Sequence, residues 1–244
     1  RLGAILWPFI WFYLNLWWDR RIGQSEARQP KRAEQLRLIL TQLGPAYIKI
    51  GQALSTRPDL VPPAYLGELT RLQDQLPPFS NEVAFKYIEQ ELGGTPSEIY
   101  EEISLKPVAA ASLGQVYKGK LKTGETVAIK VQRPGLAQRI TLDLYILRQL
   151  AQWITNRVEQ VRSDLVGIMD EFGARIVEEM DYTHEGHNAQ RFAQLYSHLP
   201  NIYVPHIYME YTARRVLTME WIEGTKLTQI DALARQGIDA TRRI

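Results

Sequence analysis

Carboxylates crowd one short segment of this 244-residue chain. Four of them fall within about two turns of a predicted helix, namely Glu178, Glu179, Asp181 and Glu185. Like charges at helical spacing repel each other, so we expect a cationic partner, and Lys49 and Lys130 are the candidates. The alternative is an acidic helix face that contacts only water. Glu178, on a different side of the helix from Glu185, fits that alternative.

The residue types of the chain give little support for a metal site. There is no cysteine, which excludes disulfides, thiolate ligands and cysteine nucleophiles. His184 and His187 have i, i+3 spacing but lack a clear third ligand. We therefore predict no metal ligands in this chain and interpret these histidines as surface or lid residues.

Lys130 ends a strand-like run with the sequence Val127-Ala128-Ile129-Lys130. This is the V-A-I-K pattern of protein kinases, in which the lysine contacts the α- and β-phosphates of ATP. Small Ala128 leaves room for a flat adenine beside the sheet. An unpaired ammonium in such a cleft is costly, so a carboxylate on a nearby helix is expected. Taken alone, the tetrapeptide also fits a solvated lysine at the end of a strand.

The loop before this strand pair is rich in alanine where kinases carry glycines. Glycine lets backbone N–H groups approach phosphates, whereas alanine disfavours positive φ. We therefore expect a stiffer loop with different phosphate contacts; the alternative is an ordinary loop that enters a strand. The candidate nucleotide-contacting residues of this segment are Ala109, Ala110, Ala111, Ser112, Leu113, Gly114 and Val116.

The elements that must position these residues change in type along the chain. Residues 32–102 have helical periodicity, with one predicted helix from Pro63 to Gln75 and another that Ser80 caps. A β-hairpin is predicted over residues 115–132 because the glycine-containing turn lies between two β-rich runs. Further on we predict two helices, the second over residues 164–196, and strands over residues 204–208 and 215–219. The order predicts an α+β fold with segments 1–30, 31–102 and 103–244.

In combination, these motifs resemble those of the UbiB family of atypical kinases. The alanine-rich loop and the V-A-I-K strand both follow its pattern. Its K-x-G-Q motif appears as Lys49-Ile50-Gly51-Gln52, and its E-x-D motif appears as Glu179-Met180-Asp181. Tyr182, Glu185 and Asn188 follow in the family's spacing. The resemblance covers residue 32 to the last residue of the chain.

The resemblance implies a protein-kinase-like small lobe, formed by an antiparallel sheet and an αC-type helix, with a helical N-terminal extension. Lys130 would bind the nucleotide, and Glu185 would pair with it from the αC-type helix. Glu179 and Asp181 would face Lys49, so that the extension folds over the site and obstructs the place of a protein substrate. The regulatory motif of the extension would be formed by Lys49, Gly51 and Gln52.

Residues 216–224 resemble the last small-lobe strand and the hinge of kinases. By this resemblance, Met219 would lie near the back of the adenine pocket. Backbone groups near Glu220 and Ile222 would then contact the edge of the adenine.

The family is associated with ATP binding and ATPase activity that support the biosynthesis of coenzyme Q and other prenylquinones at membranes. The resemblance therefore implies ATP or ADP as the ligand, with membrane lipids, prenylquinone precursors and quinone-biosynthesis proteins as partners. A net charge of +2 gives no general attraction to nucleic acid. The alternative is a non-catalytic, membrane-associated adaptor with a kinase-like lobe. A conventional protein kinase conflicts with the alanine-rich loop and the Lys49 motif.

Residues 2–18 are almost wholly apolar and carry four tryptophans, Trp7, Trp11, Trp17 and Trp18. The run is shorter than the roughly 20 residues that a spanning helix needs. Because tryptophan favours the boundary between lipid and water, one interpretation is a peripheral helix on a cytoplasmic or organellar membrane face. The alternative is a helix buried against the protein. The basic residues expected to face lipid phosphates are Arg20, Arg21, Arg28, Lys31 and Arg32.

The chain contains neither an H-R-D-type catalytic loop nor a D-F-G motif, which supply the catalytic aspartate and the Mg²⁺ ligands of kinases. Asp231 and Asp239 have no accompanying motif and are poor substitutes. The chain as written is therefore not expected to catalyse phosphoryl transfer, and Mg²⁺ is expected only in the full-length protein. Because the chain begins at Arg1, we expect it to be an excerpt of a longer protein.

Overall fold

The computed structural model describes residues 1–73, 77–157, 164–225, 230–235 and 237. The first part of the chain is a helical extension, in which Gly44, with a φ of 107°, ends the second helix and Pro45 begins the third. The extension contains α1 (Leu2–Arg21), α2 (Ser25–Leu43), α3 (Pro45–Ser55), α4 (Pro63–Thr70) and a 3₁₀ turn at Arg71–Gln73. The helix predicted to reach Gln75 thus ends at Thr70. Residues 74–76, like Asp239, lie outside the described part.

The second part of the chain is built on an antiparallel sheet. Its strands are β1 (Tyr100–Ile103), β2 (Ala109–Ala110), β3 (Gly114–Leu121), β4 (Thr126–Gln132) and β5 (Val216–Glu220). The strand order is β1-β3-β4-β5, and β2 pairs with one end of β3. The predicted hairpin is confirmed: β3 and β4 meet at Gly124, whose φ of 105° favours glycine.

Helices precede the sheet and follow its hairpin. They are α5 (Asn81–Leu92), α6 (Pro96–Ile99), α7 (Leu136–Arg157), α8 (Leu165–Glu179), α9 (Tyr182–Tyr196) and α10 (Ile230–Arg235), and a 3₁₀ turn covers Met209–Tyr211. Thr95 and Glu98 form a capping box at the start of α6. Ser80 occupies the N-cap position of α5, but its side chain makes no capping hydrogen bond within the described structure.

The structure differs from the predicted elements in two further places. The helix predicted over residues 164–196 is two helices, because the chain leaves helical geometry at Asp181, which caps α9. In place of the strand predicted over residues 204–208, the structure has an isolated bridge between Ile207 and Met219. Pro205 has no N–H for a ladder, and the N–H of His206 donates to the carboxylate of Glu220.

The sheet packs a different helix on each face. Ile129 and its inward-facing neighbours on β4 pack with Ile88 of α5. Because side chains alternate along a strand, Ala128 and Lys130 point to the opposite face. There, Tyr182 of α9 is buried against the sheet. This alternation places the candidate lysine next to the candidate αC-type helix.

A separate apolar cluster holds the extension together. Tyr47 and Ile48 of α3 are buried in it with Ile5 of α1, and Ile146 contributes from α7. Each fully buried isoleucine of this cluster stabilises the fold by roughly 1.5–3 kcal/mol. Lys49, which follows Ile48, is therefore fixed at the edge that faces the second part of the chain.

Helix α1 has two apolar faces. Ile5, with Phe9 and Phe12 beside it, packs into the extension, whereas Trp7 and Trp11 on the other side are 70% and 57% exposed. This arrangement explains why no polar stripe is visible in the sequence of the helix. Among the described residues, no helix has both the length and the apolar character needed to cross a bilayer.

Two of the arginines expected to face lipid are instead engaged within the protein. Arg32 is buried and donates through Nε to Oδ2 of buried Asp19 at 2.6 Å. Arg28 is half-buried and donates to Oδ1 of Asp19 at 3.0 Å. The prediction that Arg32 faces lipid is therefore wrong, because a buried carboxylate requires a paired cation. Arg20, Arg21 and Lys31 are exposed.

Candidate functional site

Lys130 projects from the centre of the sheet toward α9 and meets a carboxylate there. Its Nζ donates to both carboxylate oxygens of Glu185, at 2.8 and 2.7 Å. β4 fixes the lysine, and the first turn of α9 presents the glutamate. The two side chains are 22% and 40% exposed. The pair therefore lies on the wall of an open site, where an incoming anion can reach the ammonium.

The alanine-rich loop folds back on itself beside this pair. The N–H of Ala111 donates to the carbonyl of Gly114 at 2.7 Å, and Arg133 donates through Nε to the carbonyl of Ala111 at 3.1 Å. A Cβ at Gly114 would lie 2.5 Å from the carbonyl oxygen of Val131 and 2.6 Å from the hydroxyl of Tyr182. Only glycine fits this position, because the loop lies directly against β4 and α9.

The first residues of the alanine-rich segment have a different role. Ala109 and Ala110 form β2 and pair with Val116 and Gln115 of β3. They extend the sheet, whereas Ala111, Ser112, Leu113 and Gly114 line the cavity described next. Four residues of the predicted set thus line the cavity, one of which, Gly114, also begins β3, and the other three lie in strands away from the cavity.

A cavity of about 760 Å³ separates the alanine-rich loop from α8 and α9. Its charged lining mixes cations with carboxylates, so that its net charge is small. The cavity is lined by Lys49, Ala111, Ser112, Leu113, Gly114, Lys130, Arg175, Glu178, Glu179, His184, Glu185, His187 and Asn188. The cavity therefore brings together the candidate residues of the strand, the loop and the extension.

Lys49 forms an ion pair with Glu179 at the edge of the cavity. Asp181, which the resemblance also directed to Lys49, instead accepts hydrogen bonds from the N–H and the hydroxyl of Thr183, at 3.0 and 2.6 Å. Partial burial favours the protonated form of Asp181, but these hydrogen bonds outweigh it and hold the pKa below its usual value. Glu179 is thus the carboxylate of the E-x-D motif that reaches the extension.

The other two residues of the K-x-G-Q motif hold α3 in place. A Cβ on Gly51 would lie 2.3 Å from Leu72 and 2.9 Å from Leu40, so the glycine permits close packing of α3 on its neighbours. Gln52 donates through Nε2 to the carbonyl of Leu72 at 3.1 Å. Neither residue lines the cavity. Their contacts fix the helix that carries Lys49.

The predicted adenine-contacting residues lie at the far end of β5. Met219 is opposite Ala128 in the sheet, on the face that also carries Lys130. The N–H of Glu220 donates to the carbonyl of His206 at 2.8 Å, and its carboxylate accepts from Tyr203 at 2.7 Å. That N–H is consequently not free to contact an adenine. Ile222 is 44% exposed.

His184, His187 and Glu178 are exposed, as expected for surface or lid histidines and a solvated glutamate, and they also line the cavity. The break at Asp181 changes the direction of α9 relative to α8. The prediction of one continuous helix over residues 164–196 did not include this change. In the described residues, no group of three or more histidine, aspartate or glutamate side chains is arranged to hold a metal ion.

Tyr182 is a site residue to which sequence reasoning gave no role. It is completely buried, and the Nζ of Lys130 lies 4.5 Å from its ring centroid. Its spacing, three residues before Glu185, was the available signal, because residues three apart share a helix face.

Comparison with known proteins extends these observations. Residues 71–242 match the sequence model of the ABC1 atypical kinase-like domain. The chain is 61% identical over 244 residues, all of its length, to the Synechocystis sp. protein sll0005, of which it covers 36%. Over 228 residues, 93% of the chain, it is 47% identical to the Arabidopsis thaliana protein ACTIVITY OF BC1 COMPLEX KINASE 3, chloroplastic, of which it covers 32%.

A solved structure agrees with the fold. The structure of Rv3197 from Mycobacterium tuberculosis, in complex with erythromycin, matches with a TM-score of 0.57 and 31% identity, over 86% of this chain and 53% of that chain. The predicted α+β, kinase-like fold is therefore confirmed. The chain spans about a third of the length of the two curated relatives named above. On the family match, these relatives and this structure, the chain belongs to the ABC1 atypical kinase-like family, the family that its motifs resembled.

Proposed function

We propose that this chain forms the nucleotide-binding part of an ABC1 atypical kinase that takes ATP or ADP. The observation that carries the proposal is the Lys130–Glu185 pair on the wall of a cavity of about 760 Å³. Small-molecule sites typically enclose roughly 300–1,000 Å³, and phosphate binding in kinases requires a lysine paired with an αC glutamate. Ser112 and Gly114 would border the phosphates, and Ala128 would leave room for the adenine.

In this proposal, the full-length protein carries out the reaction on the nucleotide. The chain covers 36% and 32% of its curated relatives, and Mg²⁺ would neutralise the phosphate charge in the complete site. The substrate class we propose is the one that the family resemblance implies, prenylquinone precursors handled at an organellar or cytoplasmic membrane face. The Arabidopsis relative is named as a chloroplastic kinase, which is compatible with an organellar setting.

Titration calorimetry of the full-length protein with ATP and ADP tests the nucleotide proposal. Hydrogen bonds to charged groups contribute about 1.5–3 kcal/mol, so Lys130→Ala is expected to weaken affinity by at least about tenfold. Lys122→Ala, which removes an exposed lysine from the hairpin turn, is the matched control and is expected to bind like the wild type. A folded Lys130→Ala protein with wild-type affinity contradicts the proposal.

A second candidate function, a membrane-associated adaptor, is favoured by the outward face of α1. Trp7 and Trp11 are exposed, and the guanidinium of Arg21 lies 5.6 Å from the ring centroid of Trp17. The amide of Asn15 donates to the carbonyl of Trp11 at 2.8 Å, which satisfies this polar group within the helix. An aromatic surface with arginines at one end suits the headgroup region of an anionic membrane.

Vesicle flotation of full-length variants tests the adaptor. Deletion of residues 1–21 would also remove Ile5 and Asp19 from the fold, so the test uses Trp7→Ser combined with Trp11→Ser. We expect this pair to lower binding to anionic vesicles by about tenfold or more, because each tryptophan buries a large apolar ring. Trp153→Ser is the control, since Trp153 on α7 is 57% exposed, as Trp11 is. Equal losses in the two proteins would count against α1 as the membrane surface.

A further inference from the structure

Lys130 is held from two sides. Glu185 accepts both of its short hydrogen bonds on one side. On another, the ammonium lies over the ring of Tyr182, with Nζ 4.5 Å from the ring centroid. A cation within about 6 Å of an aromatic centroid is attracted by the negative face of the ring. The ring therefore restricts a lysine side chain that would otherwise sample many rotamers.

Tyr182 is itself held firmly. Its side chain is completely buried, and its backbone N–H donates to the carbonyl of Arg214 at 3.0 Å, ahead of β5. Its hydroxyl lies so close to Gly114 that a Cβ there would be 2.6 Å from the oxygen. The residue thus contacts the alanine-rich loop, the sheet and the lysine at once.

The buried hydroxyl has no hydrogen-bond partner among the described residues. Such a group costs free energy, so its position calls for an explanation. Burial, with the nearby charges of Glu185 and Glu179, raises the pKa of the phenol well above its ordinary value. The neutral ring consequently offers an electron-rich face to the ammonium without adding a further negative charge beside the phosphate position.

We propose that Tyr182 is a positioning residue for the nucleotide-binding lysine: its ring face sets the place of the Lys130 ammonium, and its edge supports Gly114 of the alanine-rich loop. This inference rests on the proposed nucleotide function. It assigns Tyr182, the residue that follows Asp181, a direct electrostatic contact with Lys130. It also gives a second reason, beside the carbonyl of Val131, why Gly114 does not tolerate a side chain.

Three kinds of substitution in the full-length protein test the proposal. Tyr182→Phe keeps the ring, Tyr182→Leu removes it, and a series of ring-fluorinated phenylalanines at position 182 keeps its shape while weakening its negative face. Two quantities are measured: the affinity for ADP, and the ring-current displacement of the Lys130 ε-CH₂ resonance, assigned with Lys130→Ala. We expect Tyr182→Phe to retain both. Tyr182→Leu should lose the displacement and weaken affinity by roughly twofold to thirtyfold, the range of one cation–π contact.

The fluorinated series decides the matter even if Tyr182→Leu does not fold. Affinity that falls stepwise with the number of fluorines supports the proposal, and affinity independent of fluorination overturns it. Wild-type values of both quantities in a folded Tyr182→Leu protein overturn it as well. If wild-type protein fails to bind ADP but shows the displaced Lys130 resonance, the nucleotide proposal fails and the contact of Tyr182 with Lys130 stands. If the resonance is not displaced in wild-type protein, the positioning inference fails whatever the nucleotide does.

Discussion

Lys49 of α3 forms an ion pair with Glu179, the last residue of α8, and this pair joins the helical extension to the rim of the cavity. The two side chains are 23% and 47% exposed. Pairs with such exposure contribute about 0.2–1 kcal/mol. A contact of this strength can break at little cost, so we expect it to open and thereby change access to Lys130.

Lys49→Ala is expected to loosen the extension. Proteases should then cut residues 1–73 faster, and the affinity for nucleotide should change, while the free energy of unfolding falls by less than about 1 kcal/mol. Limited proteolysis and calorimetry measure the first two. Lys31→Ala, which removes an exposed lysine elsewhere in the extension, serves as the control. Wild-type values of both protease sensitivity and affinity would exclude a gating role for Lys49.

Gly51→Ala is expected to destabilise the extension. The added methyl group would lie 2.3 Å from Leu72 and 2.9 Å from Leu40, and overpacking of this kind typically costs about 1–3 kcal/mol. Gly67→Ala in α4 is the matched control, because among the described residues no atom outside the adjoining backbone lies within 4 Å of its Cβ position. Alanine there should be neutral or stabilise the helix by up to about 1 kcal/mol. Chemical denaturation compares the two, and equal stabilities would refute the packing role of Gly51.

Asp181→Ala is expected to destabilise α9 through loss of its N-cap. The carboxylate accepts from the N–H of Thr183 at 3.0 Å, and replacing such a cap with alanine costs about 0.5–2 kcal/mol. Asp181→Asn retains a side-chain oxygen that can cap, so it should keep most of the stability. Denaturation midpoints measure the difference. If asparagine were as harmful as alanine, the negative charge of Asp181 would matter more than its cap.

The stability of the extension is expected to depend on pH through Asp19. Hydrogen bonds from Arg32 hold the pKa of Asp19 below its ordinary value of about 3.9. A carboxyl group whose folded pKa is lowered contributes stability above its unfolded pKa and loses that contribution as pH falls through the folded pKa. Asp19→Asn should therefore lower the melting temperature at pH 7 and reduce its decline below pH 4.

The matched control for Asp19 is Asp59→Asn. Asp59 pairs with Arg57, two residues away and exposed, so the pair can persist in the unfolded chain and should affect stability little. Melting temperatures recorded from pH 7 to pH 2 give the comparison. Parallel pH profiles for wild type and Asp19→Asn would show that Asp19 is not the responsible group.

The sequence was most informative where motifs lie on regular elements. Lys130 was predicted on a hairpin strand and Glu185 on a helix, and the structure brings their charged groups to 2.7 Å. Strand alternation and helix periodicity carry such residues to predictable faces. The family resemblance directed Lys49 to Glu179 and Asp181, and in the structure its ion pair is with Glu179.

Prediction from sequence failed where a local hydrogen bond competes with a regular pattern. Asp181 ends one helix and caps the next, so a run of helix-forming residues contains a break. The N–H of His206 donates to the side-chain carboxylate of Glu220, so the pairing beside β5 is limited to the bridge between Ile207 and Met219. The pairing of Asp19 with Arg32 joins residues on different helices, and only the packing of α1 on α2 reveals it.

The two faces of α1 place different demands on its sequence. Ile5 and Phe9 pack within the chain, so substitutions at these positions are limited by their effect on folding. Trp7 and Trp11 have no such constraint from the described residues, since both are exposed. If relatives nevertheless keep large aromatic residues at the outward positions, selection must act there through something other than folding. A comparison of substitution rates between the two faces would therefore show whether the outward aromatic residues are conserved for a reason other than folding.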